Sequence, residues 1–139
     1  GNVNYEPLNH EKMVRLRAAK VEGIVQDVPD AVPVGDPEGD LLLIGWGSTY
    51  GAITAALRAQ REKGRRIGHV HLRHLNPLPK NLGDVMKRYR RVVVPEMNLG
   101  QLVWVLRAKY LVDAQGFNKV QGKPFLVSEI ETAIEKMLG

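Results

Sequence analysis

Glu96, Asn98 and Gln101 crowd the point where an apolar run, Val92–Val94, breaks at Pro95 and gives way to a helical pattern. An acid ahead of a helix start faces the positive end of the helix dipole. That placement suits an anion or hydrogen-bond acceptor rather than a general acid. Asn98 followed three residues later by Gln101 has the spacing of a capping box, in which two side chains satisfy the first free amides of a helix. Capping accounts for Asn98 and Gln101. It accounts least for Glu96, which is expected to touch a ligand or a neighbouring domain.

A second junction, Gly45-Trp46-Gly47-Ser48-Thr49-Tyr50-Gly51, follows the apolar run Leu41–Ile44. Glycines at a helix N-terminus leave backbone amides open to an anion. A dinucleotide fingerprint needs glycine at the first, third and sixth loop positions. Here Tyr50 holds the sixth, and no Lys-Ser/Thr pair follows, so a Walker loop is excluded as well. A tight turn capped by Ser48 or Thr49 is the expected role. Phosphate or nucleotide binding at Gly45, Gly47, Ser48 and Thr49 is the alternative.

His69, His71 and His74 lie close in sequence. On a strand, His69 and His71 share a face, since side chains alternate with period two. Such imidazoles could ligate zinc or nickel, but no carboxylate or cysteine stands nearby to complete a set. Structural or interface histidines are the expectation, with no metal site. Nothing supplies a nucleophile: there is no cysteine, no Gly-x-Ser-x-Gly elbow and no pair of acids placed for proton transfer. No catalytic residue is expected.

The elements that must position these groups follow from periodicity. Asn9 is expected to cap a helix to about Ile24, with Val14, Ala18, Val21 and Val25 at helical spacing. Residues 26–40 have linker composition, with Ala31–Val34 as a candidate edge strand. Leu41–Ile44 reads as a strand covered on both faces, Ile67–Leu72 as the next strand and Arg91–Val94 as a third core strand. Between them, one helix runs to Lys63 and ends at Gly64. Another starts at Asn81 and Asp84 and turns Leu82, Val85, Met86 and Tyr89 inward. The helix after Asn98 is expected to bury Leu99, Leu102, Val103, Leu106 and Tyr110. A last strand is expected at Phe117–Gln121. A final helix, capped by Ser128 with Glu131, carries Ile130, Ala133, Ile134, Met137 and Leu138. Strands alternating with single helices make an α/β fold with a mostly parallel sheet and helices on both faces. Residues 1–29 are read as an interdomain helix and linker, and 30–139 as the domain.

The 139 residues suffice for one core. Hydrophobic content of 44% and charged content of 25% are ordinary for a soluble globular protein. No apolar run approaches a membrane span, and no signal-peptide pattern opens the chain. The lack of cysteine excludes disulfides and thiolate-held clusters within the chain and fits a reducing cytoplasm. The net charge of +5 is uneven: acids gather at Asp27, Asp30, Asp36, Glu38 and Asp40, bases from Arg58 to Arg91. A basic nucleic-acid-binding domain is therefore a further alternative. No aromatic residues interleave with the bases, so solvated helix faces are favoured over it. The chain opens on Gly1 rather than Met and is read as a fragment.

Taken together, Gly45–Gly51, His71-Leu72-Arg73 running to Asn76-Pro77-Leu78-Pro79, and Val94–Leu102 resemble the C-terminal part of the alpha subunit of 2-oxoacid:ferredoxin oxidoreductases, most closely the 2-oxoglutarate type. The early stretch Asn9-His10 with Met13–Arg17 through Lys20 is similar to the helix that joins this domain to its predecessor. The resemblance implies a transketolase C-terminal-like fold: a three-layer α/β/α sandwich on a five-stranded sheet with one antiparallel edge strand, for which Ala31–Val34 is the candidate. It implies a parent enzyme that uses thiamine diphosphate and magnesium to decarboxylate a 2-oxoacid. That enzyme passes electrons through an iron–sulfur cluster to ferredoxin and forms an acyl-coenzyme A. It implies as partners the preceding domain of the same subunit and the beta subunit. This fragment would hold no cofactor and, alone, turn over nothing.

Overall fold

Leu41, Leu42, Leu43 and Ile44 are all fully buried, so this strand has protein on both faces. Alternate residues feed opposite cores: Leu42 and Ile44 join one cluster, Leu41 and Leu43 the other. Each such side chain contributes roughly 1.5–3 kcal/mol of transfer free energy. The computed structural model describes residues 4–139. Its elements are α1 (Pro7–Gly23), β1 (Val34–Gly35), β2 (Gly39–Trp46), α2 (Tyr50–Glu62), β3 (Ile67–Leu72), α3 (Leu82–Met86), β4 (Tyr89–Glu96), α4 (Gln101–Tyr110), β5 (Ala114–Asn118) and α5 (Val127–Leu138).

The sheet order is β1-β3-β2-β4-β5. All pairs are parallel except β1 with β3, where Val34 opposes His69. Helices α3 and α4 cover one face, through Leu82, Val85, Met86, Leu102, Val103 and Leu106. Helices α2 and α5 cover the other, through Ile53, Ala56, Leu57, Ile130 and Ile134. The three-layer α/β/α architecture and the antiparallel edge strand thus match expectation, the edge strand falling at Val34–Gly35 rather than Ala31–Val34.

Several local readings are corrected. Helix α1 starts at Pro7 behind Glu6, not behind Asn9; proline suits the first turn because its missing N–H has no partner to lose. None of its residues is buried, so its apolar positions join neither core cluster of the described residues. Residues 28–31 are held down instead. Asn81, read as a helix cap, accepts from the Ala31 N–H (2.7 Å) and donates to the Ala31 carbonyl (2.9 Å). Tyr89 opens β4 rather than closing a helix, and its hydroxyl donates to the Asp36 carbonyl. Leu99 is 83% exposed, because it lies in the turn before α4. Strand β5 begins at Ala114, three residues early, because Gly116 sits within an edge strand that tolerates it. At α5 the Glu129 carboxylate, not Ser128, accepts from the Leu126 N–H (2.8 Å).

Candidate functional site

The strand order reverses beside β2. From β2 the chain crosses to β3 on one side, then returns past β2 to β4 on the other. Ligands of open α/β sheets collect at the carboxyl ends of strands flanking such a switch point. Here those ends are Trp46 and Glu96, and the two junctions singled out in the sequence meet there. The Trp46 indole Nε1–H donates to Glu96 Oε1 (3.3 Å), and Ser48 Oγ lies 3.4 Å from Met97 Sδ.

Glu96 is fully buried, and its carboxylate is committed to the chain's own amides. It accepts from the N–H groups of Leu102 (Oε1, 2.9 Å) and Val103 (Oε2, 3.1 Å), and from Asn98 Nδ2 (3.2 Å). Asn98 Oδ1 accepts from the N–H groups of Gly100 (2.7 Å) and Gln101 (3.0 Å). An α-helix begins with four N–H groups that have no partner in the helix. At α4 these belong to Gly100, Gln101, Leu102 and Val103, and two side chains satisfy all four. Gly100 makes the turn possible by taking φ +93. The expected capping box is therefore replaced by an Asn98–Glu96 pair, and the Gln101 N–H rather than its side chain takes part. Glu96, the residue that capping was expected to explain least, is the principal cap.

At the other junction, Gly47, Ser48 and Thr49 form a single 3-10 turn ahead of α2. Buried Thr49 Oγ1 accepts from the Trp46 N–H (3.1 Å) and donates to the Trp46 carbonyl (2.9 Å). Gly47 and Ser48 are exposed. Gly45 lies where α2 bears down on the sheet: a Cβ there would come within 2.5 Å of Ile53 Cδ1 and 2.8 Å of Thr49 Oγ1. The structure therefore brings Gly45, Thr49, Ser48, Glu96 and Asn98 to one edge, while Gln101 presents an exposed side chain. Sequence reasoning missed Trp46, whose half-buried indole needs an acceptor, and Met97.

Next to this edge, His69 and His71 face the start of α2, as expected of one strand face. The His69 ring lies 5.9 Å from that of His71 and 5.8 Å from that of Tyr50. Burial, then the neighbouring His71, lowers the His69 pKa to about 4. His74 is exposed and lies beyond the strand. No three His, Cys, Asp or Glu side chains gather to metal distance among the described residues.

The family model described as pyruvate:ferredoxin oxidoreductase core domain II matches residues 39–130. The chain is 56% identical over 140 residues to the 2-oxoglutarate oxidoreductase subunit KorA of Mycobacterium tuberculosis, covering 99% of this chain and 21% of that protein. It is 31% identical over 144 residues to subunit alpha of 2-oxoacid:ferredoxin oxidoreductase 2 of Aeropyrum pernix, covering 99% of this chain and 22% of that protein. It thus spans about a fifth of the length of these relatives. Among solved structures it is similar to the 2-oxoglutarate:ferredoxin oxidoreductase from Magnetococcus marinus with 2-oxoglutarate, coenzyme A and succinyl-CoA bound. The TM-score is 0.89 at 27% identity, over 100% of this chain and 25% of that one. A split-gene transketolase at 22% identity, over 76% of this chain and 41% of that one, shares the fold with a TM-score of 0.56.

Proposed function

This chain belongs to the pyruvate:ferredoxin oxidoreductase core domain II family, and on that premise we propose that it is a non-catalytic assembly domain of a 2-oxoacid:ferredoxin oxidoreductase. The substrate we assign to the parent enzyme is 2-oxoglutarate, by the name of the relative that is 56% identical. The reaction is oxidative decarboxylation to an acyl-coenzyme A with thiamine diphosphate and magnesium, electrons leaving through an iron–sulfur cluster to ferredoxin. The beta subunit and the preceding domain of the same subunit are the partners.

This chain's own donors do not suit those cofactors. A cluster needs thiolates, and the sequence has no cysteine. A metal-bound diphosphate needs oxygen ligands and open amides, yet the α4 amides at the switch point are already taken by Glu96 and Asn98. No step of the reaction is therefore derived from residues here.

One observation carries the assembly reading: apolar surface faces outward from α1 and α4. Trp104 is 65% exposed and Leu111 91%, with Val105 and Leu99 beside them in sequence. In α1, Leu8, Met13, Val14, Leu16 and Val21 are exposed as well. Large apolar side chains left in water on two elements are what a contact with another protein surface would cover. The test is to place Trp104→Asp and Leu111→Asp in the complete subunit, co-express it with the beta subunit and measure complex formation by size exclusion. Activity is followed as 2-oxoglutarate- and coenzyme A-dependent ferredoxin reduction. Complex and activity are expected to fall together while the thermal midpoint of this chain alone holds. An intact, fully active complex would refute the reading.

A further inference from the structure

We propose, resting on the assembly reading above, that the free edge of β5 receives an extended segment of the partner subunit, which adds to the sheet as a sixth strand. In the order β1-β3-β2-β4-β5, strands β1 and β5 each have a single neighbour. An edge strand presents unpaired N–H and C=O groups, and proteins guard such edges with brevity, proline or charge. Strand β1 is guarded: it is two residues long and directly follows Pro33. Strand β5 is not. Ala114-Gln115-Gly116-Phe117-Asn118 contains neither proline nor charge. Lys119, the first cation past it, is turned inward, its ammonium bound to the Glu129 carboxylate (2.7 Å) and the Pro124 carbonyl (3.1 Å). The Lys119 N–H donates to the Glu96 carbonyl on β4 (2.9 Å). Backbone groups alternate in direction along a strand, so those of Gln115 and Phe117 also face β4. Gly116 and Asn118 therefore aim their N–H and C=O groups away from the sheet, and both residues are exposed.

The surroundings of this edge describe the segment that covers it. Leu111 just before β5 and Val120 just past it are exposed, as are Trp104 and Val105 on α4, the helix packed against β5. On the other face of the sheet a groove of about 670 Å³ runs between α5 and the strands, with Phe117 and Arg91 on the sheet side and Ala133, Lys136 and Met137 on α5. A strand laid beside β5 turns alternate side chains toward this groove and toward α4, while its main chain pairs with Gly116 and Asn118. Charge selects among such strands. Arg91 and Lys136 are exposed and have no acidic partner among the described residues, whereas Glu129 beside them is neutralised by Lys119. The Arg91 guanidinium donates to the Met137 carbonyl, which holds it at the groove. The added strand is thus apolar toward α4 and carries a carboxylate among the side chains it turns toward Arg91 and Lys136. A second copy of this chain would offer β5 itself, which holds no acid between Ala114 and Asn118.

The complete subunit, alone and in complex with the beta subunit, is compared by hydrogen–deuterium exchange at single-amide resolution, complex formation being checked first by size exclusion. The expected result is slowing of at least about tenfold at the Gly116 and Asn118 amides on assembly, with less change at Gln115 and Phe117, already bonded to β4. That alternation is what strand addition produces and what simple coverage of the surface does not. Lys136→Glu is expected to weaken association about fivefold and to reduce its sensitivity to salt, as loss of a rim charge does. The exchange measurement needs no variant and so decides the matter if Lys136→Glu disturbs α5. Unchanged exchange at Gly116 and Asn118 in an intact complex overturns the proposal and leaves the assembly reading standing. Slow exchange at both amides already in the free subunit assigns the edge to a second copy or to a domain of the same subunit, and overturns it too. Association unmoved by Lys136→Glu in a folded protein overturns the acidic character of the added strand. If no complex forms, the assembly reading fails and the proposal falls with it.

Discussion

Replacing Glu96 by alanine should be among the most damaging single changes in this chain, and the structure says by how much. The substitution strips the acceptor from the Leu102 and Val103 N–H groups, from the Trp46 indole and from Asn98 Nδ2. Leu102 and Val103 are buried, so water cannot replace the carboxylate at their amides without opening the structure. Each buried donor left without a partner costs about 1–3 kcal/mol. Two such amides, with partial relief at the indole, give a loss of roughly 3–5 kcal/mol, a large part of the 5–15 kcal/mol that holds a typical domain together. Glu96→Gln keeps one oxygen for Leu102 and Trp46 but turns an NH₂ toward the Val103 N–H, so its loss should be about half as large. The assay is urea unfolding of the chain. With a slope near 2 kcal/mol per molar, Glu96→Ala should lower the midpoint by roughly 2 M. A midpoint within about 0.5 M of the parent, or a glutamine variant no more stable than the alanine, would refute the claim that Glu96 serves as the cap.

Gly68→Ala should destabilise by about 2–4 kcal/mol, since its Cβ would fall 2.2 Å from the Tyr89 hydroxyl and 2.9 Å from the Asp36 carbonyl; thermal unfolding checks it, and a change under about 1 kcal/mol would contradict that packing. Asn81→Ala should cost about 1–2 kcal/mol by releasing both hydrogen bonds to Ala31, and hydrogen exchange should quicken at Ala31 ahead of the sheet. Because the His69 pKa is lowered to about 4 in the fold, the unfolded chain binds the extra proton first. Its contribution is therefore fully present above about pH 6.5 and is lost as pH falls toward 4, by at most about 3 kcal/mol. Urea midpoints across that window should decline as pH falls, and His69→Gln should flatten the decline; an unchanged slope would sink the assignment.

What could be read from the sequence was what depends on long, uninterrupted patterns. The apolar runs at Leu41–Ile44 and Val92–Val94 could be satisfied only by strands covered twice, and they fixed the centre of the sheet. Interpretation failed where a side chain reached outside its local pattern. Asn81 has the look of a cap, but Ala31, fifty positions back, offers its amide and carbonyl to it. Glu96 sits on the strand, too far upstream to fit the capping-box spacing, yet the turn at Gly100 folds the first amides of α4 back over it. Tyr89 follows Val85 and Met86 at helical spacing, but α3 ends at Met86 and the ring enters the core from the first residue of β4. Helix α1 was legible as a helix, without a buried face of its own. Its spacing was helical, but periodicity reports only that a face is apolar, not whether the same chain covers it.

These errors share a physical cause that also bears on function. A switch point in an open α/β sheet offers helix N-termini to whatever anion arrives, and a ligand site needs those amides free. In this domain the α4 terminus is filled by a carboxylate from the adjoining strand, and the Trp46 indole, bound to that same carboxylate, ties the neighbouring strand to it. The α4 amides at that edge are thus spent on fixing α4 in place. What α4 then holds outward is Trp104, with exposed Leu111 just past its end, the surface we propose for contact with another domain. If that coupling is correct, Glu96→Gln in the complete subunit should weaken association with the beta subunit even where the domain remains folded, because the helix carrying Trp104 loses its anchor. Association unchanged at full folding would separate the two and place the assembly contact elsewhere, on α1.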